Sequence, residues 1–249
     1  MPSCSTRRRA PRAVPQLTTT DPDLSIEEAY AVQALSIRRR LARGERRIGM
    51  KMGLTSRAKM LQVGVDRMSW GRLTDAMLIE DGGSLSRSRF VHPRVEPEVA
   101  FLMKRELKGN VTAIEAIAAV EAVAPAMEII DSRYENFKFS LADVIADNSS
   151  SSALVVGSWH DPRADISNLG VLLSIDGQEA EIGSTAAILG HPVRSLVAAA
   201  RMVAEAGEVL SPGDIVMAGG ITAAPNLQPG MSVRNEVQGL GSVTFRVED

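Results

Sequence analysis

Apolar positions recur along the chain in two periods, and they outline most of its elements. From Ser25 to Arg46 they fall at Ala29, Val32, Leu35, Ile37 and Leu41, which predicts an amphipathic helix capped by Ser25 ahead of Glu27 and Glu28 and stopped near Gly44. "RIGMKMGLTS" (47–56) then alternates, with Met50 and Met52 on one face of a short strand and Lys51 and Gly53 on the other. A second short helix is predicted over 56–65, ending at Gly64, and an irregular stretch runs through Trp70 and Gly71 to Asp75. Strands follow at 95–103, 152–159, 169–181 around a DG turn, 214–220 and 232–247. Helices at 112–124 and 192–207 interrupt them, the second closed by Gly207. The expected organisation is a basic disordered tail (1–23), a small N-terminal α/β region (24–81) and a β-rich domain (82–249).

Composition narrows the classes of function. The chain has 249 residues, 45% hydrophobic and 23% charged, with a formal net charge of -2. That is the profile of a soluble globular protein able to bury a core. The basic runs "TRRRAPR" (6–12) and "SIRRRLARGERR" (36–47) lack interleaved aromatic residues for base stacking, so nucleic acid is not an expected partner. No apolar run approaches the ~18 residues of a membrane span, and the basic N-terminus lacks the apolar core of a secretory signal. The single cysteine, Cys4, makes no internal disulfide. A cytoplasmic location is the expectation.

The candidate chemistry begins at "HPRVEPEVAF" (92–101). Alternation puts Glu96 and Glu98 on one face of a strand that is otherwise apolar. Two carboxylates so placed repel unless a cation lies between them. Glu128, embedded among Met127, Ile129 and Ile130, is the better third carboxylate, ahead of Asp131, because an unpaired acid in that run would be costly to bury. Three carboxylates suit a hard cation such as Mg²⁺ or Mn²⁺. The alternative is a structural ion-pair network with Arg94, Arg133 or Lys138. Lys51, flanked by methionines, is a candidate proton donor or acceptor with a lowered pKa, against the commoner outcome of a lysine that snorkels to solvent. Asp75 and the polar stretch 143–152 are compatible with turn chemistry alone. His92, His160 and His191 share no metal-ligand spacing and are read as structural or surface residues. No phosphate-cradling loop or nucleophile elbow is present.

Seven stretches in order, "KMGLTSRAKM" (51–60), "HPRVEPEVAF" (92–101), "PAMEIIDSRYENFKF" (125–139), "VIADNSSS" (144–151), "LGHP" (189–192), "GGITAA" (219–224) and "QGLGSV" (238–243), resemble the fumarylacetoacetate hydrolase superfamily. The likeness is to the branch holding 2-hydroxypentadienoate hydratases and 4-oxalocrotonate decarboxylases, and the "SRAKM" continuation (56–60), "DSRYENFKF" and "GGITAA" look more like the decarboxylase side. The resemblance implies an α+β fold, a mixed β-sandwich or roll with a small N-terminal α/β part. It implies an Mg²⁺ or Mn²⁺ site at Glu96, Glu98 and Glu128, catalytic roles for Lys51 and for Asp75 as its orienter, and substrate contacts from Leu54, Thr55, Asn148, Ser149, Ser150 and Thr222. The implied reaction is decarboxylation of 2-oxohex-3-enedioate to 2-hydroxypenta-2,4-dienoate in aromatic meta-cleavage catabolism. Hydration of that dienoate is the alternative, and a non-catalytic partner subunit a further one. The implied partners are a small 2-oxo (di)carboxylate, further copies of the chain and a homologous hydratase.

Overall fold

The structure, a computed structural model, describes residues 11–56, 60 and 67–249. The helix expected over 56–65 falls largely outside the described residues. The described chain builds two mixed sheets. The larger contains β1 (Arg47–Gly53), β2 (Ser69–Thr74), β3 (Leu78–Ile79), β5 (Arg94–Met103), β6 (Val120–Ile130), β7 (Ser151–Val156) and β10 (Ile215–Met217), in the order β2-β1-β10-β5-β6-β7-β3. The smaller contains β4 (Ser84–Ser86), β8 (Gly170–Ile175), β9 (Gln178–Ser184), β11 (Ser232–Val237) and β12 (Gly241–Glu248), in the order β4-β12-β11-β8-β9. Strands from either side of residue 82 interleave in the large sheet, so the expected N-terminal region is no separate layer: β1, β2 and β3 belong to that sheet, and the small sheet is built entirely from later strands.

The sheets meet through a shared apolar layer. Val95, Met127 and Val155 of the large sheet pack with Leu173, Val233 and Phe245 of the small one, and Asn235 Nδ2 donates to the Ala126 carbonyl at 2.9 Å to tie them together. Farther along β5, Val99, Phe101 and Met103 pack with helix α4 (Pro192–Glu205), whose Val193, Leu196, Ala199 and Val203 form its buried stripe. With 95, 99, 101 and 103 committed to the core, period-two alternation turns Arg94, Glu96, Glu98 and Ala100 to the opposite face.

Local signals account for the helix ends. Helix α1 (Ile26–Leu41) opens on a capping box between Ser25 and Glu28, α2 (Ala113–Ala118) on one between Thr112 and Glu115, and α3 (Leu141–Ala146) on one between Ser140 and Asp143. Each cap satisfies orphan amides and is worth about 1 kcal/mol. Gly44 and Gly207 adopt positive φ just past α1 and α4, as expected of them.

Three expectations change. The helix predicted over 112–124 stops at Ala118, and Val120 onward becomes strand β6, paired on both sides by β5 and β7. Pairing along the strand overrides the helix propensity of the alanines, and Pro125 could not have continued a helix. The stretch read as irregular before Asp75 contains β2, all six residues of which are buried, so no alternation marks it. The 11–23 segment, expected to be disordered, is held in place. Val14 bridges Tyr134, with Val14 N donating to Arg133 O at 2.8 Å and Glu135 N to Val14 O at 3.0 Å, while Thr18 donates from N and Oγ1 to the Asp143 carboxylate at 3.0 and 2.7 Å.

Candidate metal centre and active-site cavity

Pairing between β5 and β6 brings the acids together. Glu96 lies directly opposite Glu128, and Glu98 is the next residue on the same face of β5. Glu96, Glu98 and Glu128 each offer a carboxylate oxygen, and these oxygens lie within 4.8 Å of one another. Glu98 and Glu128 are 0% exposed. From β1, buried Lys51 reaches the cluster and places Nζ 3.0 Å from Glu128 Oε2. Glu98 Oε2 accepts from Gly219 N at 2.7 Å.

The cluster is incomplete as it stands. Glu98 Oε1 and Glu128 Oε1 are buried with no hydrogen-bond partner. Burial, then Glu128 and Glu96, push the Glu98 carboxyl well above the ordinary glutamate value. Glu128 is also raised, chiefly by burial, with Lys51 opposing. For Lys51 burial pulls downward, but Glu128, Glu96 and Glu98 together outweigh it and hold the ammonium above the usual lysine value. That corrects the expectation of a lowered pKa, because three acids around one base reverse the effect of burial. Converging, buried carboxylate oxygens with free lone pairs suit a hard divalent cation, so the residues present fit Mg²⁺ or Mn²⁺.

The cluster opens into a cavity of about 480 Å³. Leu54, Ser69, Ser149 and Ser150 form part of its wall, and Gly220, Ala223 and Ala224 another part. The turn 148–150 holds three consecutive non-glycine residues at φ 54, 51 and 60°. Such a run is strained and survives only where its surroundings fix it. Asn148 supplies that fixation: its Oδ1 accepts from Arg72 N at 2.8 Å and its Nδ2 donates to Arg72 O at 2.9 Å. Gly71 permits the approach, since a Cβ there would lie 2.4 Å from the Asn148 carbonyl oxygen. Gly219, at φ +112°, leaves room for Thr55, whose Oγ1 would lie 2.0 Å from an added Cβ.

Not every expected site residue reaches the cavity with a free group. Asn148 spends its amide on β2, and Ser149 Oγ donates to Trp70 O at 2.9 Å, which leaves Ser150 Oγ as the buried, unpartnered hydroxyl of the turn. Thr55 Oγ1 is likewise buried without a partner. Thr222 Oγ1 donates to Ala223 O at 2.8 Å, and its methyl faces Gly183. Asp75 is misplaced as an orienter of Lys51. It lies beyond Thr74, which pairs with Arg47 at the end of the β1–β2 ladder away from Gly53 and Ser69. There it accepts from Arg46 N at 2.9 Å and Arg46 Nε at 3.0 Å. The family resemblance implied that role, but β2 runs away from Lys51 and carries Asp75 to the far end of the ladder.

Pro97 sits in β5 without disturbing the sheet. An edge or bulge could excuse its missing N–H, yet β5 is central. Val95 N, Pro97 O and Val99 O bond to the irregular 218–225 stretch instead of a regular strand, so no ladder bond is lost at Pro97. The alternative network is not built from the cations suggested for it. Arg133 pairs with Asp147, and among the described residues neither Arg94 nor Lys138 forms an ion pair. Both line the cavity, with Phe137 and Phe139. Sequence reasoning considered those two cations only as partners for the acids.

A twisted mixed sheet that gathers three acids and a lysine at one cavity defines a class: an α+β protein with a carboxylate-built site for a divalent cation. Residues 66–248 match the model of the fumarylacetoacetate (FAA) hydrolase C-terminal family, and the chain belongs to that family. It is 58% identical over 234 residues to a 4-oxalocrotonate decarboxylase of Pseudomonas sp, covering 94% of this chain and 91% of the relative. It is 35% identical to a 2-keto-4-pentenoate hydratase of Paraburkholderia xenovorans (strain LB400), covering 95% and 89%. Its fold matches the structure of 4-oxalocrotonate decarboxylase from Pseudomonas putida G7 complexed with magnesium and adipate, with TM-score 0.92 and 40% identity over 95% of this chain and 91% of that one.

Proposed function

We propose that this protein is a divalent-metal-dependent carboxy-lyase that converts 2-oxohex-3-enedioate (4-oxalocrotonate) to 2-hydroxypenta-2,4-dienoate and CO₂. The observation that carries it is the cavity wall. Among the described residues its ionisable groups are Lys51, Arg94, Lys138 and the cluster acid Glu96. A hydratase must activate a water as well as protonate carbon, and among the described residues no carboxylate outside the metal cluster lines the cavity to do so. Decarboxylation asks only for a sink for electrons and one proton. The 58% identity to a decarboxylase, against 35% to a hydratase, points the same way.

When bound, Mg²⁺ or Mn²⁺ supplies Lewis-acid stabilisation of the negative charge that grows on the 2-oxo oxygen. Glu96, Glu98 and Glu128 would hold the ion. Lys51 Nζ, kept protonated by those acids, holds the proton that the 2-oxo oxygen takes up as the C5–C6 bond breaks and its electron pair passes through the conjugated chain. Ser150 Oγ is free to donate a hydrogen bond to the bound acid. Phe137, Phe139 and Val144 exclude water from the carboxylate that leaves.

The test mixes purified protein and Mg²⁺ with 2-oxohex-3-enedioate, and separately with 2-hydroxypenta-2,4-dienoate, and follows CO₂ release against loss of diene absorbance. CO₂ release from the first is expected; consumption of the dienoate without CO₂ release would make the protein a hydratase, and no turnover of either would favour a non-catalytic partner. We further propose a cytoplasmic homo-oligomer able to pair with a homologous hydratase. Chemistry supports the pairing, because the decarboxylation product is that enzyme's substrate. Co-elution of the two purified proteins checks it. Among the described residues, no helix is long and apolar enough to cross a membrane.

A further inference from the structure

We infer that Arg94, with Lys138 beside it, anchors the carboxylate at the end of the substrate remote from the metal centre, and so selects a 2-oxo dicarboxylate over a 2-oxo monocarboxylate. This rests on the proposed reaction and names the group that recognises its second acid.

Arg94 is the one cation of its kind left waiting among the described residues. Arg40, Arg47, Arg72 and Arg133 pair with Glu45, Asp214, Glu208 and Asp147, and Arg87 donates to the carbonyls of Phe90 and Val91. Arg94 lines the cavity with no carboxylate partner. Its guanidinium carbon sits 4.1 Å from the centroid of the Phe137 ring, and its Nε is buried without a hydrogen-bond partner. A guanidinium in that state keeps its planar donor fork for a carboxylate.

Position and charge agree with this role. Arg94 follows Glu98 and Glu96 along one face of β5, and across the ladder it pairs with Ile130 as Glu96 pairs with Glu128. Two residues of strand advance about 6.6 Å, comparable to the end-to-end span of an extended six-carbon diacid that has its 2-oxo acid end at the cluster. A dianion entering the cavity is favoured by positive charge on its wall away from the glutamates, and Arg94 and Lys138 supply it. The backbone is shaped to present them: Asn136 and Phe137 take φ 59 and 57°, and that strained turn sets Phe137 beneath Arg94 and Lys138 into the cavity wall.

The role has a kinetic signature. The remote carboxylate leaves as neutral CO₂, so its contact with Arg94 weakens as the reaction proceeds. An interaction stronger in the bound substrate than in the transition state lowers KM without raising kcat. Arg94 is thus a specificity-determining residue.

The test titrates Mg²⁺-loaded protein calorimetrically with 2-oxohexanedioate, which has both carboxylates but no double bond through which to lose CO₂, and with 2-oxohexanoate, which has one. Arg94→Gln is expected to weaken diacid binding about ten- to a hundredfold, as for a lost charge-assisted hydrogen bond. Monoacid binding should stay within about twofold, Mg²⁺ affinity should be unchanged, and Arg94→Lys should recover part of the loss. With 2-oxohex-3-enedioate, KM should rise while kcat does not fall. Equal losses for the two ligands, or no loss for the diacid, would overturn the anchor. If Arg94→Gln does not fold, Lys138→Met provides the same comparison, with a smaller diacid-specific loss expected and a loss shared by both ligands overturning it. A wild-type protein that releases no CO₂ sinks the proposed reaction instead, and the ligand comparison still decides the anchor.

Discussion

Two buried polar groups lie on neighbouring strands and behave in opposite ways. Around β2, Arg72 donates to Gln33 Oε1 at 2.6 Å and to Glu208, and stacks 4.4 Å from the Trp70 ring. Gln33 Nε2 donates in turn to Trp70 O at 3.0 Å and Ile145 O at 2.8 Å. Every strong donor and acceptor there is used, so the network clamps α1 and α3 onto the sheet. Beside β1, Lys51, Glu98 and Glu128 are just as buried, yet two carboxylate oxygens lack partners. A completed network fixes a fold, whereas an incomplete one carries a cost that only a ligand removes. The same contrast separates paired Arg72 from unpaired Arg94.

The strongest way to break this contrast is at the open cluster. Glu98→Gln should weaken Mg²⁺ binding and CO₂ release by more than about a hundredfold, beyond the usual cost of losing a mere supporting group, while the metal-free protein melts no lower than wild type because one buried charge is gone. Calorimetry and thermal melts check both halves. Undiminished metal dependence would remove Glu98 from the centre.

Metal itself should stabilise the fold, by about 2.7 kcal/mol at a hundredfold excess over Kd, and the effect should depend on pH. Glu98 and Glu128 have folded-state pKa values raised above the unfolded value, by burial first. The folded metal-free protein therefore holds those protons more tightly. Their contribution to its stability is fullest below the ordinary glutamate value and is lost as pH rises through the raised values. Metal requires the ionised form. The Tm increase on adding Mg²⁺ should be larger near about pH 8 than near about pH 5.5, and equal increases would mean that the cluster is not what binds.

In the closed network, Arg72→Met strands Glu208 and Gln33 Oε1 and should cost about 2–3 kcal/mol, measured by urea unfolding, with Mg²⁺ affinity unchanged. A loss of metal affinity would show that the two groups are coupled. The smallest effect is expected from Asp75→Asn, which disturbs an exposed contact with Arg46 and should leave turnover at wild-type level. A large fall in kcat would return Asp75 to the site.

Several of these features are written plainly in the chain. The capping residue Ser25, the stripe of α4, the DG turn between β8 and β9 and the EPE alternation each depend on spacings of two to four residues, which local geometry fixes. Glu128 stood out because a lone acid in an apolar run is costly. Other features depend on partners far away in sequence. Val120–Ile130 is a strand because β5 and β7 flank it, Asn148 is structural because β2 runs past it, and Asp75 points away because of the direction of that same strand. That Arg94 forms no ion pair among the described residues is likewise decided by tertiary contacts, not by its neighbours in sequence.

By itself, then, the sequence determined which residue types could hold a hard cation and that Glu96 and Glu98 share a face, because side-chain alternation is a property of a single strand. Only the tertiary structure decided that Glu128 and Lys51 complete the group, that Lys51 stays protonated, and which hydroxyls and cations remain free. Those outcomes depend on strand order, register and burial, which bring together groups separated by many residues.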